Sequence, residues 1–347
     1  MESRVFGFGL VGTGLVSQFH GKAIKDSKDM RLVSCYDIVA SKAERFAAEY
    51  GCRVESFEEM LKNPEIDIIN VLTPNAYHAD FVIQAAEAGK HVLVEKPPEM
   101  TLEKTDKMIE ACRNNGVKFG VILQCRFRKA IEAIKRAIDD GRFGKPLHAS
   151  AYMKWFRSEE YYFSDPWRKY KSEGAGVTIQ HAFHYIDLLH HLMGDIESLY
   201  AKMSNIAHPG VDLEDTVIAI FRFRNGAQGV LEASTAFYPG IDIRIEINGT
   251  DGLAVMKGDR IEEWKFREEK PGDEEVRKIG GVAGTTGAGG AAALLYYEHK
   301  YLFEDFIDAI RNNRNPRVTG EEGRRTLATA LAIYESAEKD NWVYLIH

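Results

Sequence analysis

Cysteine is scarce: four residues in 347 (Cys35, Cys52, Cys112 and Cys125), with no C-x-x-C or other metal-ligand spacing. That excludes a disulfide-stapled scaffold and a cysteine-based zinc site, and scattered thiols fit a reducing cytoplasm. Long apolar runs are also missing. None approaches the roughly 18–20 residues of a membrane span, and the N-terminus has neither a basic segment nor a cleavage site. Neither membrane insertion nor export is expected. A basic excess is absent too: 45 Lys+Arg face 52 Asp+Glu, a formal net charge of −7, so no nucleic-acid partner is expected. No internal repeat is visible. What is present is an ordinary globular mix, 45% apolar and 28% charged. The length suits two domains of roughly 100–200 residues each.

The first 124 residues alternate short apolar runs with amphipathic helical patterns. Strands are expected at Val5–Val11, Arg31–Asp37, Asp67–Leu72, His91–Val94 and Lys118–Leu123, with a weak one at Arg53-Val54. Helices are expected near Leu15–Lys25, Ser41–Tyr50, Tyr77–Ala88 and Leu102–Asn115, stopped by Gly51, Gly89 and Gly116. Buried strands alternating with helices predict a doubly wound parallel sheet of the dinucleotide-binding type over 1–124. After Leu123 the pattern changes. One helix, Arg128–Asp140, precedes alternating strands from Leu147–Trp155 to Ile261–Phe266, punctuated at Arg224-Asn225-Gly226, Asn248-Gly249 and Lys257-Gly258-Asp259. Two helices follow, Ala292–Asn313 and Gly320–Asp340. The class is α/β, with a C-terminal α+β domain over 125–347 carrying an open, predominantly antiparallel sheet. The glycine-rich stretch Gly280–Gly290 reads as a mobile loop and lid candidate.

Gly12-Thr13-Gly14 follows the first strand and opens a helix, the context a phosphate-binding loop requires. Gly12 permits the tight turn, and Gly14 lets backbone approach a pyrophosphate at the helix N-terminus, where Leu15 and Val16 follow. Ser17 stands where a strict fingerprint has its third glycine. Asp37 ends the second strand, 25 residues after Gly12. It either serves a local turn or accepts bonds from the adenosine ribose hydroxyls. In the second role it opposes a 2′-phosphate. One like-charge pair at about 4 Å and an effective dielectric near 20 costs about 4 kcal/mol, so NAD is expected over NADP.

Lys96 lies just past the end of the fifth strand in Val94-Glu95-Lys96-Pro97, at the strand edge where open parallel sheets bind ligands. Leu72-Thr73-Pro74-Asn75 leaves another strand at that edge, and His78 opens the next helix. All of these are candidate cofactor contacts.

These motifs, with Gly174-Ala175-Gly176, Gln180, His184, Asp187 and Pro316-Arg317-Val318-Thr319-Gly320-Glu321-Glu322-Gly323, make the chain similar to the glucose–fructose oxidoreductase / inositol dehydrogenase / MocA family of NAD(P)-dependent sugar and polyol dehydrogenases. The resemblance spans nearly the whole chain. It implies a Rossmann domain followed by an open mixed sheet whose outer face forms a dimer or tetramer contact. It also points to His184 as the acid/base residue.

On the helix Val177–Met193, Gln180 and His184 stand i and i+4 on one face. Spacing would allow a metal on His181, His184 and Asp187 or His191, but no cysteine or outside carboxylate accompanies them, and no metal is expected. His181, His190 and His191 read as ordinary helix residues. Oxidising a secondary alcohol removes a proton from oxygen. Histidine titrates near ~6.5 and can take it, while a lysine cation stabilises developing alkoxide charge. Lys96 is therefore assigned to polarise the substrate oxygen and His184, with Gln180 beside it, to shuttle the proton. Many relatives carry aspartate at the Gln180 position, where an amide can only orient groups.

Trp155 to Arg168 is rich in aromatic and basic residues, suited to sugar faces and to hydroxyls or carboxylates. Trp155, Arg168, Arg126 and Lys154 are substrate candidates, with Lys96, Gln180 and His184. The resemblance places Gln124, Trp167 and Arg168 near the nicotinamide end of the cofactor. The expected activity is hydride transfer between NAD and a secondary alcohol or ketone of a sugar, polyol or derivative. The rival readings are an enzyme of this fold that keeps its cofactor and runs a net non-redox or two-substrate cycle, and a non-enzymatic cofactor sensor.

Overall fold

The structure is a computed structural model and describes residues 4–164, 166–170, 176–280 and 295–345. Gly174, Ala175 and nearly all of the 280–290 stretch lie outside the described residues. By internal contacts the chain forms two compact units: residues up to 124 together with 295–327, and 125–294 together with 328 onward. Segment 295–327 thus belongs with the nucleotide-type unit rather than with the strands that precede it.

The first unit is built from β1 (Phe6–Val11), α1 (Ser17–Lys25), β2 (Met30–Tyr36), α2 (Ala40–Tyr50), β3 (Arg53–Val54), α3 (Phe57–Lys62), β4 (Ile68–Val71), α4 (His78–Glu87), β5 (His91–Val94), α5 (Leu102–Asn114) and β6 (Phe119–Val121). The sheet runs β3-β2-β1-β4-β5-β6, all pairs parallel. All six residues of β1 and all four of β4 are buried, as a sheet covered on both faces demands. The strand order reverses between β1 and β4, and ligands in such sheets bind beyond the strand ends at that point.

The second unit opens with α6 (Lys129–Asp139), β7 (Pro146–Lys154) and α7 (Glu159–Phe163). The histidine helix does not run as one α-helix from Val177. It begins as a π-helical turn, Val177–Ala182, and continues as α8 (Phe183–Met193). Then come β8 (Ile196–Ser204), β9 (Thr216–Phe223), β10 (Gln228–Ser234), β11 (Arg244–Gly249), β12 (Gly252–Lys257), β13 (Arg260–Phe266) and α9 (Asp273–Arg277). The sheet order is β13-β12-β11-β7-β10-β9-β8-β14, where β14 is Val343–Tyr344. Only β7 and β10 pair in parallel. Residues of β9 alternate buried and exposed along most of the strand, which leaves Ile218 and Ile220 on the open face.

Helix α10 (Tyr297–Arg311) packs into the first unit, with the Phe303 ring 5.7 Å from Phe8. Helix α11 (Gly320–Lys339) starts there as well. A Cβ on Gly323 would come within 2.6 Å of Val121, so only glycine lets this turn approach β6. No helix among the described residues is long and apolar enough to cross a membrane.

Candidate active site

In the first unit the loop after β1 is shaped for close approach. Gly12 has φ +98°, and a Cβ there would lie 2.7 Å from the Leu72 carbonyl oxygen. Its N–H donates to Tyr36 O at 2.8 Å. Around Gly14 the space is open, with no atom within 4 Å of an added Cβ. The N-terminus of α1 has no side-chain cap, so its dipole is available to an anion. Ser17, in the third-glycine position, is buried and donates its hydroxyl to Gly14 O at 2.6 Å. Leu15 and Val16 are exposed apolar residues at the mouth of the loop.

Asp37 does two things. Oδ2 accepts from the Thr13 N–H (2.8 Å) and hydroxyl (2.9 Å), and Oδ1 accepts from Val39 N–H (2.9 Å). The carboxylate thus fixes the phosphate-type loop and makes a local turn bond, and its residue is still only half-buried.

At the ends of β4 and β5, two turns are tied together. His78 is fully buried. Its Nε2 lies 2.8 Å from Thr73 O and its Nδ1 3.0 Å from Pro97 O, so the ring braces the Thr73-Pro74-Asn75 turn against the Lys96-Pro97 turn, whose peptide bond is cis. Burial holds its pKa below the usual histidine value, against the pull of those carbonyls. Lys96 is half-buried. Thr73 Oγ1 and Gln124 Oε1 are buried with no hydrogen-bond partner. Two such polar atoms in a unit with an open glycine loop and an uncapped helix suit a bound polar cofactor.

A group that sequence reasoning did not assemble lies behind these turns. His20 Nε2 is 2.9 Å from Glu95 Oε1, and Asn70 Nδ2 is 2.7 Å from His20 Nδ1. Glu95 Oε2 accepts from the Lys96 N–H at 3.0 Å. His299 of α10 completes the cluster, its ring 5.0 Å from that of His20. Nitrogen and oxygen atoms of His20, Glu95 and His299 all lie within 4.8 Å of one another. Burial favours a neutral Glu95. The His20 hydrogen bond and the Lys96 charge nearby outweigh it and hold the carboxyl down to about 2. Burial, with the His20 ring alongside, pushes His299 down to about 3.

In the second unit, residues 176–190 are buried at every position except Gln180 and His184. The helix is therefore core on nearly all sides and presents one i, i+4 pair. Its start is pinned. Glu214 accepts from Val177 N–H through its carbonyl (3.0 Å) and from Thr178 N–H through Oε1 (2.9 Å), and Tyr334 OH donates to the same Oε1 at 2.8 Å. Gly176 has φ +115°, and a Cβ would strike Glu214 Oε1 at 2.6 Å. π-Helical turns of this kind are frequent at functional sites.

Arg126 is 2% exposed and grips Asp187 side-on, Nε to Oδ2 at 2.8 Å and Nη2 to Oδ1 at 2.6 Å. Both Asp187 oxygens face this guanidinium, so the metal set built on Asp187 gains no support. His190 Nε2 lies 2.8 Å from Thr329 Oγ1. Lys154 of β7 pairs with Glu232 of the adjacent β10 at 2.9 Å. The aromatic segment packs as stacked cations: Arg157 lies 5.1 Å from the Trp155 ring centre and Arg168 lies 4.5 Å from Tyr161. Trp155 Nε1 is buried without a partner, and Tyr161 OH is 3.4 Å from His181 Nε2. The Trp167 main chain lies in a 3₁₀ turn, Pro166–Lys169.

Comparison with known proteins agrees with this anatomy. Residues 6–123 match the model described as "Oxidoreductase family, NAD-binding Rossmann fold", and residues 131–255 match the Gfo/Idh/MocA C-terminal domain. The chain is 32% identical over 250 residues to scyllo-inositol 2-dehydrogenase (NAD(+)) of Bacillus subtilis, covering 70% of this chain and 71% of that protein. It is 28% identical over 374 residues to 2,7-anhydro-N-acetylneuraminate hydratase of Mediterraneibacter gnavus, covering 99% and 97%. Among solved structures, the WlbA dehydrogenase from Bordetella pertussis, in complex with NADH and UDP-GlcNAcA, superposes with a TM-score of 0.87 at 31% identity, over 99% of this chain and 100% of that one. The loop, the turns and the matches together make this chain a member of the Gfo/Idh/MocA family of NAD-binding oxidoreductases.

Proposed function

We propose that the protein is an NAD-dependent dehydrogenase acting on a secondary alcohol or ketone of a sugar, polyol or sugar derivative. The bound nicotinamide supplies the hydride acceptor or donor at C4. Gly12, Thr13, Gly14 and the start of α1 hold the pyrophosphate, Asp37 the adenosine ribose, and Thr73, Asn75, Glu95, Lys96 and Gln124 line the remainder, with Trp167 and Arg168 toward the nicotinamide. Lys96 polarises the substrate oxygen, His184 carries its proton, and Gln180 orients the pair. Trp155, Arg168, Arg126 and Lys154 are the substrate-side candidates, of which Arg126 is the weakest because it is buried against Asp187.

The observation that carries this reading is the helix 176–190, core-buried except at Gln180 and His184. A helix used only for packing has no need to present an amide and an imidazole at i and i+4. A screen of NAD reduction over sugars, inositols, sugar acids and their phosphates tests it. Turnover on at least one secondary alcohol is expected, and no reduction with any class would refute it. A second reading is favoured by the hydratase relative matched over 99% of this chain: an enzyme that retains its cofactor through a net non-redox cycle. Nicotinamide absorbance that survives exhaustive dialysis would select it. The exposed Ile218 and Ile220 on the open sheet face support self-association there.

Asp37→Asn tests the cofactor preference. The amide oxygen can still accept from Thr13, so the loop keeps its tie and only the local turn bond to Val39 is lost, while the charge that opposes a 2′-phosphate is gone. The ratio of NAD to NADP kcat/KM is expected to fall by roughly 10- to 100-fold. An unaltered ratio would remove Asp37 from ribose selection.

A further inference from the structure

The cluster of His20, Asn70, Glu95 and His299 is buried and built from four separate segments of one unit, and of its members the assignments above use Glu95 alone, as a residue lining the cofactor site. Its one link to them is Glu95, the neighbour of Lys96. The inference rests on Lys96 being the residue that polarises the substrate oxygen.

We propose that Glu95 is a positioning residue for Lys96: held by His20, its carboxylate fixes the Lys96 main chain and adds a negative charge to the surroundings of the Lys96 side chain. Three observations lead there. Glu95 Oε2 accepts from the Lys96 N–H at 3.0 Å, so the carboxylate and the turn that aims Lys96 form one rigid piece. Glu95 Oε1 meets His20 Nε2 at 2.9 Å. Asn70 Nδ2, as a donor 2.7 Å from His20 Nδ1, keeps the ring proton on Nε2 and aimed at the carboxylate. The Lys96 charge is also among the influences that keep Glu95 ionised, and that attraction acts equally on the ammonium. Lys96 then works as a fixed cation, which leaves proton transfer to His184. Among the described residues, the groups facing Glu95 are His20 from α1, Lys96 from its own turn and His299 from α10, with Asn70 of β4 behind His20 and His78 of α4 further out.

Glu95→Gln tests this with little change in shape. The amide can keep both contacts if His20 shifts its proton to Nδ1 and Asn70 turns its oxygen, at present buried and unbonded, toward the ring. Expected at saturating NAD are a kcat lower by roughly 10- to 100-fold and an alkaline limb of the kcat profile moved down by about one pH unit. Glu95→Asp keeps the charge and should restore the limb. The charge is also read without turnover. In cofactor-free protein, the pH midpoint for modification of Lys96 by an amine-reactive reagent, followed by peptide mass spectrometry, should fall by about one unit in Glu95→Gln. Midpoint and limb both unchanged would overturn the proposal. If the variant does not fold, the parent decides. Half-burial alone lowers a lysine midpoint, so a Lys96 midpoint below those of exposed lysines overturns the proposal, and one at or above them supports it. Absence of turnover on every sugar would fail the dehydrogenase reading, and the labelling midpoint would still decide the Glu95 charge. A divalent ion bound by His20, Glu95 and His299 would replace the His20–Glu95 bond, so chelator-sensitive turnover restored by zinc would also overturn it.

Discussion

His184→Ala is expected to cut turnover by at least ~100-fold while the NAD dissociation constant stays within about twofold. An alcohol is a very weak acid, and hydride cannot leave its carbon unless the oxygen gives up its proton. Histidine is the side-chain type suited to take up and release a proton near neutral pH. His184 is one of two positions in residues 176–190 that are half-buried rather than buried, so alanine there removes less packing than at its neighbours. Its loss should appear in kcat rather than in thermal stability, and added imidazole should recover part of the rate. Lys96→Met keeps the aliphatic stem and deletes the cation, and should cost a further roughly 10²–10³-fold, the scale of removing one donor from an oxyanion site. If the two residues act on one oxygen, the double variant loses less than the product of the single losses. Steady-state rates on the alcohol found by the screen, with cofactor binding followed by fluorescence, check both. Unchanged turnover in His184→Ala removes that residue from the mechanism.

The parallel sheet was legible because its strands are short apolar runs buried on both faces, separated by helices with clear glycine stops. The glycine loop, Asp37 and the Lys96 turn were legible for a related reason: they follow strand ends, where local sequence sets the geometry. What escaped depends on contacts distant in sequence. His20 and Glu95 are 75 residues apart and meet only once β1, β4 and β5 are in register. The π turn at Val177–Ala182 is invisible to a 3.6-residue period, because it is imposed by Glu214, 36 residues on from Thr178. The parallel pairing of β7 with β10 cannot be read from alternation, which gives faces and not neighbours. Helix α3 is six residues long, too short for a period, yet it had a readable signal: Ser56 and Glu59 form a reciprocal capping box. Arg126 shows what sequence leaves out: as a cation near the expected pocket it suggests substrate binding, and its burial against Asp187 in an internal ion pair appears only in the folded chain.

That pair supports the second large effect. Arg126→Met should destabilise the second unit by about 3–5 kcal/mol, because it leaves the Asp187 carboxylate in the core without its bidentate partner. At roughly 2–4 °C per kcal/mol for a unit of this size, the unfolding midpoint should drop by on the order of 10 °C. The cost comes from the stranded charge rather than from the value of the ion pair itself. The double variant Arg126→Met/Asp187→Leu, which removes both charges and refills the volume, should therefore recover most of the loss. Asp187 is one turn from His184 on α8, so the single variant should also lose turnover through a loosened helix, and the double variant should regain stability ahead of rate. Thermal unfolding and kcat measured on the parent, the single and the double variant separate the two effects. Equal destabilisation in the single and double variants would show that the pair itself, and not the uncompensated carboxylate, holds this helix in place.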